Sequence, residues 1–164
     1  MKKYLYRTPE GFSDLWLTGD DGLLTGLWFE GSRDTLKHRQ NSEVAQETGA
    51  SFFADTIRWL DLYFCGKQPD FTPAYRVDHL TLFRKEVLDL MLRIPYGTTV
   101  TYGQLAEQLA ASHGIAKMSS RAVGGAVGWN PICLIIPCHR VVGSNGSLTG
   151  YGGGIRNKVS LLKL

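Results

Sequence analysis

TVTYGQLAEQLAASHGIAKMSSRAVGGAVGWNP, residues Thr99 to Pro131, carries two helical patterns on either side of a glycine. Tyr102, Leu105, Ala106 and Leu109 recur at helical spacing behind Thr101, whose hydroxyl can cap a first helix, and Gly114 interrupts it. Ser119 or Ser120 can cap a second, short helix over RAVGGAVG, which Asn130-Pro131 ends. Two short helices about a glycine turn suggest a helix-turn-helix. In the second helix each glycine costs about 1 kcal/mol of helix propensity relative to alanine, so something must compensate. One reading is tight packing against a neighbouring helix. The other is approach to DNA, where the smooth face of Ala122, Gly124 and Gly125 would enter a narrow groove and Arg121 would project from the helix start.

Directly C-terminal lies ICLIIPCHRVVGSNG, residues Ile132 to Gly146. ICLII is a β-prone run, and Pro137 cannot donate to a ladder, so a strand is expected to end just before Cys138 and a turn to expose the thiol. The thiolate is the nucleophilic form of cysteine, and a neighbouring His139 or Arg140 would lower the thiol pKa from its usual value near 8.5. Adjacent strand residues point to opposite sides, so that pairing needs a backbone bend or a bridging water. The alternative is a buried Cys138 acting as a small hydrophobe beside a satisfied core histidine. Cys133, inside the apolar run, is expected to be inert. Glycines 143, 146, 150, 152, 153 and 154 follow, whose freed backbone N–H groups could close about a flat polar ligand or form a simple flexible hairpin. The segment lacks the Gly-Lys-Ser or Gly-Lys-Thr of a phosphate loop.

Outward to the N-terminus, Phe12–Glu30 reads as a hairpin: two runs rich in Leu, Trp and Phe flank GDDG, whose residues tolerate positive φ. After Gly31 the pattern turns polar. Helical periodicity returns in ASFFADTIRWLDLYFCG, with Phe53, Ile57, Leu60 and Phe64 on one face, Gly66 as a stop and Cys65 expected to serve packing. KQPDFTPAYRVD reads as a linker. A further helix follows with a stripe of Phe83, Val87, Leu90 and Met91, ended by Pro95 and Gly97. The expected organisation is α+β: an N-terminal antiparallel-sheet domain with its linker over residues 1–78, and a C-terminal helical domain with the helix-turn-helix over 79–164.

The 164 residues leave room for a core, and no apolar stretch approaches the roughly 20 residues needed to cross a bilayer. The start, MKKYLYRTPEGF, lacks the apolar centre of a signal peptide, so a cytoplasmic protein with no membrane contact is expected. Cys65, Cys133 and Cys138 are odd in number and lack metal-ligand spacing, which argues against a disulfide framework and a zinc site. Residues 1–78 carry a net charge of −3 and residues 79–164 a net +6. A basic half that also holds the Cys-His pair points to an anionic partner, nucleic acid first, against an uneven surface charge with no partner.

IPCHRVVGSNGSLTGYGGG, preceded in order by IPYGTTVTYGQLA and SSRAVGGAVGWNP, resembles the O6-alkylguanine-DNA alkyltransferases, also called methylated-DNA-protein-cysteine methyltransferases. The likeness is strong over about residues 80–163 and looser before, where the hairpin and YFCGKQPDF carry it. It implies an α+β N-terminal domain, a helical DNA-binding domain and a stoichiometric, self-inactivating transfer of an alkyl group from O6 of guanine in duplex DNA to Cys138. It implies no cofactor or metal, and a monomer is expected. His139 corresponds to the family's water-bridged base, Asn130 to the hinge that ties the recognition helix to the active turn, and Tyr102 to the tyrosine that assists nucleotide rotation and donates toward guanine N3. Arg121 takes the place of the finger that fills the stack after the base leaves. The carbonyls of Cys138 and Val141 would read the guanine amino group, and the Tyr151-Gly152 turn would approach O6. A glutamate that orients the histidine in the family would fall just past Leu164, so a truncated sequence or another carboxylate, the terminal one included, is expected. The connection AASHGIAKMSS is longer than in compact relatives, and Gly152 leaves only its backbone N–H in place of a hydroxyl. The readings weighed against a transferase are a non-catalytic module that binds alkylguanine lesions and a thiol hydrolase or peptidase.

Overall fold

The computed structural model describes residues 1–148 and 151–164. Three strands, β1 (Lys2–Tyr6), β2 (Leu15–Asp20) and β3 (Leu23–Phe29), form an antiparallel meander. The turn between β2 and β3 is the two-residue Asp21-Gly22, both at positive φ (48° and 75°), as a hairpin matching the right-handed twist of its strands requires. A short β4 (Gln46–Glu47) adds to β1 in parallel, giving the order β3-β2-β1-β4. Leu15, Leu17, Leu27 and Phe29 alternate onto the buried face.

α1 (Asp34–Val44) was not anticipated from the sequence. Only Asp34 and His38 of its residues are buried, so the segment has no apolar stripe to betray it. α2 (Ala54–Phe64) follows a single 3₁₀ turn and buries Trp59, Leu60, Tyr63 and Phe64. Cys65, at its C-terminal end, is exposed rather than packed, and Gly66 follows it at a φ of 76°. The linker is ordered: Leu24 N donates to Ala74 O at 2.9 Å and Arg76 N to Leu24 O at 2.9 Å, laying Tyr75 along the edge of β3.

The C-terminal part holds α3 (Leu82–Leu92), α4 (Tyr102–Ser112), α5 (Ser120–Trp129) and α6 (Ile155–Leu162). Thr101 caps α4 in a full capping box with Gln104, and Ser119, not Ser120, caps α5. Between them Gly114 takes a φ of 66°, the left-handed turn that ends α4. β5 (Val100–Thr101) pairs in parallel with β6 (Val141–Val142), which ties the start of α4 to the chain just after Cys138. Leu27, Phe29, Leu105, Val123, Ile132 and Cys138 belong to one continuous apolar cluster, so the sheet and the helices share a core.

The expected strand over ICLII does not form. Ile132 makes a single parallel bridge to Leu27, and the chain then turns, with Leu134 at a φ of 70°. All five side chains are buried nonetheless. A run wrapped in apolar groups on every side needs its backbone satisfied but not by a ladder. Here the edge of β3 and the side chain of Asn130 supply the partners.

Candidate active site and nucleic-acid face

Cys138 opens a 3₁₀ turn, Cys138–Arg140, instead of standing exposed at a strand end. It is 7% exposed, and its thiol sits in a cleft also lined by Tyr102, Val127, Gly128, Asn130, Tyr151 and Gly152, with Asp34 and Lys37 from α1. The sulfur therefore faces the C-terminal end of α5, and the cleft holds only about 10 Å³ of free space, barely enough for one water. Burial holds the thiol above its ordinary pKa; the Asn130 amide pulls against this, Asp34 adds to it, and Lys37 and Lys158 oppose it. Cys133, fully enclosed, is pushed up well above its ordinary value by burial.

Asn130 is 2% exposed and closes the turn that presents Cys138: its Nδ2 donates to Ile136 O at 2.8 Å, and its Oδ1 accepts from Ile132 N at 3.0 Å. Tyr102, half-buried at the start of α4, lies over Gly124 and lines the cleft. Tyr151 is buried with its hydroxyl directed toward the thiol, but among the described residues the hydroxyl has no hydrogen-bond partner of good geometry. At Gly152 a Cβ would collide with Asp34 Oδ1, so the close approach of that carboxylate requires glycine. Among the nearby glycines, Gly150 lies outside the described residues.

His139 is 1% exposed. Burial, helped by the charges of Arg140 and Lys158, lowers its pKa to about 3, so the ring is neutral at physiological pH. Its Nε2 lies 2.7 Å from the Tyr63 hydroxyl, and its Nδ1 is buried without a partner among the described residues. The ring's partner among the described residues is thus a phenol from α2 and not a carboxylate, and Tyr63 was not foreseen. Also unforeseen was Lys158, with no exposed surface, whose Nζ donates to Val141 O at 2.7 Å beneath the face of Tyr151. Val141 is buried, and that bond fixes the direction of its carbonyl. Among the described residues no three His, Cys, Asp or Glu side chains gather where they could hold a metal ion.

The outer face of α5 answers the question its glycines raise. Val123, Ala126 and Val127 face the core, where α5 packs on α3 and α4. Arg121, Ala122 and Gly125 are exposed, and a Cβ at Gly125 or at Gly128 would meet nothing within 4 Å. A Cβ at Gly124 would meet only the Tyr102 ring at 3.8 Å, an ordinary contact. No neighbour among the described residues demands these glycines. The helix presents a nearly bare backbone to the outside, next to the mouth of the Cys138 cleft, with Arg121 at its start.

Residues 82–164 match the family described as 6-O-methylguanine DNA methyltransferase, DNA binding domain. A methylated-DNA–protein-cysteine methyltransferase of Mycobacterium bovis is 44% identical over 160 residues, 97% of this chain and 90% of that protein. The protein of the same name from Methanosarcina acetivorans is 45% identical over 162 residues, 98% of this chain and 95% of that one. The fold superposes on the Mycobacterium tuberculosis protein OGT, crystallised in complex with DNA, with a TM-score of 0.82 at 34% identity, covering 100% of this chain and 92% of the other. With a thiol at the foot of a bare helix and relatives this similar along nearly its whole length, the chain belongs to the 6-O-methylguanine DNA methyltransferase family.

Proposed function

We propose that the protein repairs DNA by moving an alkyl group from O6 of guanine in a duplex to the sulfur of Cys138, once per molecule. The observation that carries this reading is the position of the thiol: it is buried, yet borders a cleft whose rim is the end of α5, the helix with the bare outer face. An extruded purine presented along that face would reach it. Residues 1–78 then form a supporting domain and residues 79–164 the domain that grips DNA and accepts the alkyl group. We place the protein in the cytosol as a monomer; the three free thiols suit a reducing compartment, and among the described residues no helix is long and apolar enough to cross a membrane.

The chemistry balances without a further reactant. Sγ attacks the alkyl carbon as the carbon–O6 bond breaks, and the electron pair stays on guanine. The thiol proton leaves through His139, whose Nδ1 has no partner among the described residues, and reaches the guanine ring, restoring the neutral base. With the resting thiol held neutral by burial and the imidazole a weak base at a pKa of about 3, charge develops only as it is passed on to the leaving purine. Tyr102 stands in the cleft as donor toward guanine N3. The carbonyls of Cys138 and Val141 take the guanine amino group, and the Gly152 turn approaches O6. Asn130 holds the thiol-bearing turn against α5, while Arg121 fills the stack as the base leaves, offsetting part of the few kcal/mol that flipping costs. The thioether product is a poor leaving group, which makes the reaction terminal.

Mass spectrometry after incubation with duplex DNA containing O6-methylguanine tests the proposal. The expected result is a gain of one methyl group on the wild-type chain and none on Cys138→Ala. Tight binding of the lesion with unchanged mass would instead make this a lesion-binding module, and turnover of an ester or peptide a hydrolase.

A further inference from the structure

The wall of the Cys138 cleft is completed from outside the helical part, by two residues of α1. Asp34 is 6% exposed; its backbone N donates to Gly152 O at 3.2 Å, and its Oδ1 holds Lys37 Nζ at 2.8 Å. The same ammonium donates to Gly128 O at 2.6 Å and to Asn130 O at 3.1 Å. All three of its protons are therefore engaged, and it bridges the N-terminal part to the carbonyls at the end of α5, where a cation is electrostatically welcome.

We infer that Lys37, anchored by Asp34, is a specificity-determining residue that limits the size of the alkyl group Cys138 can accept. The cleft as it stands has about 10 Å³ free, less than any alkylated base needs, so a wall moves on binding and moves further for a larger alkyl group. The walls differ in how easily they yield. Asn130 is clamped by two backbone bonds, Tyr102 rides on a capped helix, and Tyr151 is buried. The Lys37 side chain is long and keeps 28% of its surface in water, so its head can swing out intact. Leaving breaks its bond to a buried carboxylate and strips two carbonyls of their donor. A methylated base asks for the smaller displacement, whereas a bulky group drives the ammonium off its three partners and incurs that cost in full.

The inference rests on the transfer reaction proposed above, and its test separates the two. Rate constants are measured for duplexes of one sequence carrying either O6-methylguanine or O6-benzylguanine, in the wild-type chain, in Asp34→Asn/Lys37→Ala and in Lys37→Arg. The double substitution avoids leaving the buried carboxylate unpaired. The ratio of benzyl to methyl rates cancels changes in DNA affinity and in thiol reactivity, because both substrates meet the same protein. The ratio is expected to rise about tenfold or more in the double variant and to stay within about twofold of wild type in Lys37→Arg. A methyl rate that persists with an unchanged ratio in the double variant overturns the assignment to Lys37 alone. A wild-type chain that takes up neither group overturns the functional reading, and this inference with it. Thermal melting of each variant identifies any that fails to fold; in that event Lys37→Gln, which can keep one of the three bonds, replaces the double variant and must raise the ratio by the same criterion.

Discussion

Asn130 concentrates more of the site's geometry in one side chain than any other residue near the thiol. Its amide spans the turn from Ile132 to Ile136, satisfying a buried N–H and a buried carbonyl that no strand partner reaches. Asn130→Ala leaves both unpaired at about 1–3 kcal/mol each, so a loss of roughly 2–6 kcal/mol is expected in urea denaturation. A loss below about 1 kcal/mol would show that water or a shifted backbone replaces the amide. The sequence makes Asn130 visible as a helix stop before a proline, and it makes Cys138 and His139 visible as an adjacent thiol and imidazole after an apolar run. Lys37, Tyr63 and Lys158 leave no comparable trace. Lys37 meets Gly128 across 91 residues, Tyr63 meets His139 across 76, and Lys158 reads as one more polar position on a short amphipathic helix. Their roles exist only once the sheet and the helices have docked.

Among the elements, α5 is the one whose sequence contradicts its own stability. Gly125 is exposed and a side chain there would meet open space, so Gly125→Leu should gain about 1 kcal/mol in helix propensity while placing a branched side chain on the face read here as meeting DNA. The expected outcome is a chain more stable to urea that binds duplex at least about tenfold more weakly. Unchanged binding with raised stability would remove the reason given for the glycines. Other elements show where pattern reading fails. α1 is a helix without an apolar stripe, held by His38 stacked on Trp28 at 4.2 Å and by the Asp34 contacts, so periodicity could not find it. ICLII has the composition of a strand, but β3 offers it a single residue of free edge, since Tyr75 already occupies the same edge further along. Local preference proposes a strand; the available hydrogen-bond partners decide otherwise.

Across the whole molecule the two parts share one core but differ in charge, and the acid side of the pH scale tests how firmly that core is closed. His38 lies between α1 and the sheet, His139 between α2 and the active turn; burial lowers each from 6.5 to about 3. The unfolded chain takes up both protons near pH 6.5 while the folded chain refuses them, so the folded state loses stability as pH falls below 6.5, and above that value these groups have no effect. Each contributes up to about 1.4 kcal/mol per pH unit, or about 2 kcal/mol between pH 7 and pH 5, so the pair predicts a loss of about 4 kcal/mol over that interval. His38→Gln, which keeps a polar planar group against Trp28 but cannot be charged, should halve the loss to about 2 kcal/mol. Urea titrations at the two pH values read this directly. Equal losses in both proteins would mean that His38 reaches water in the folded state, and that α1, with Asp34 and Lys37 on it, opens away from the sheet more readily than its buried contacts imply.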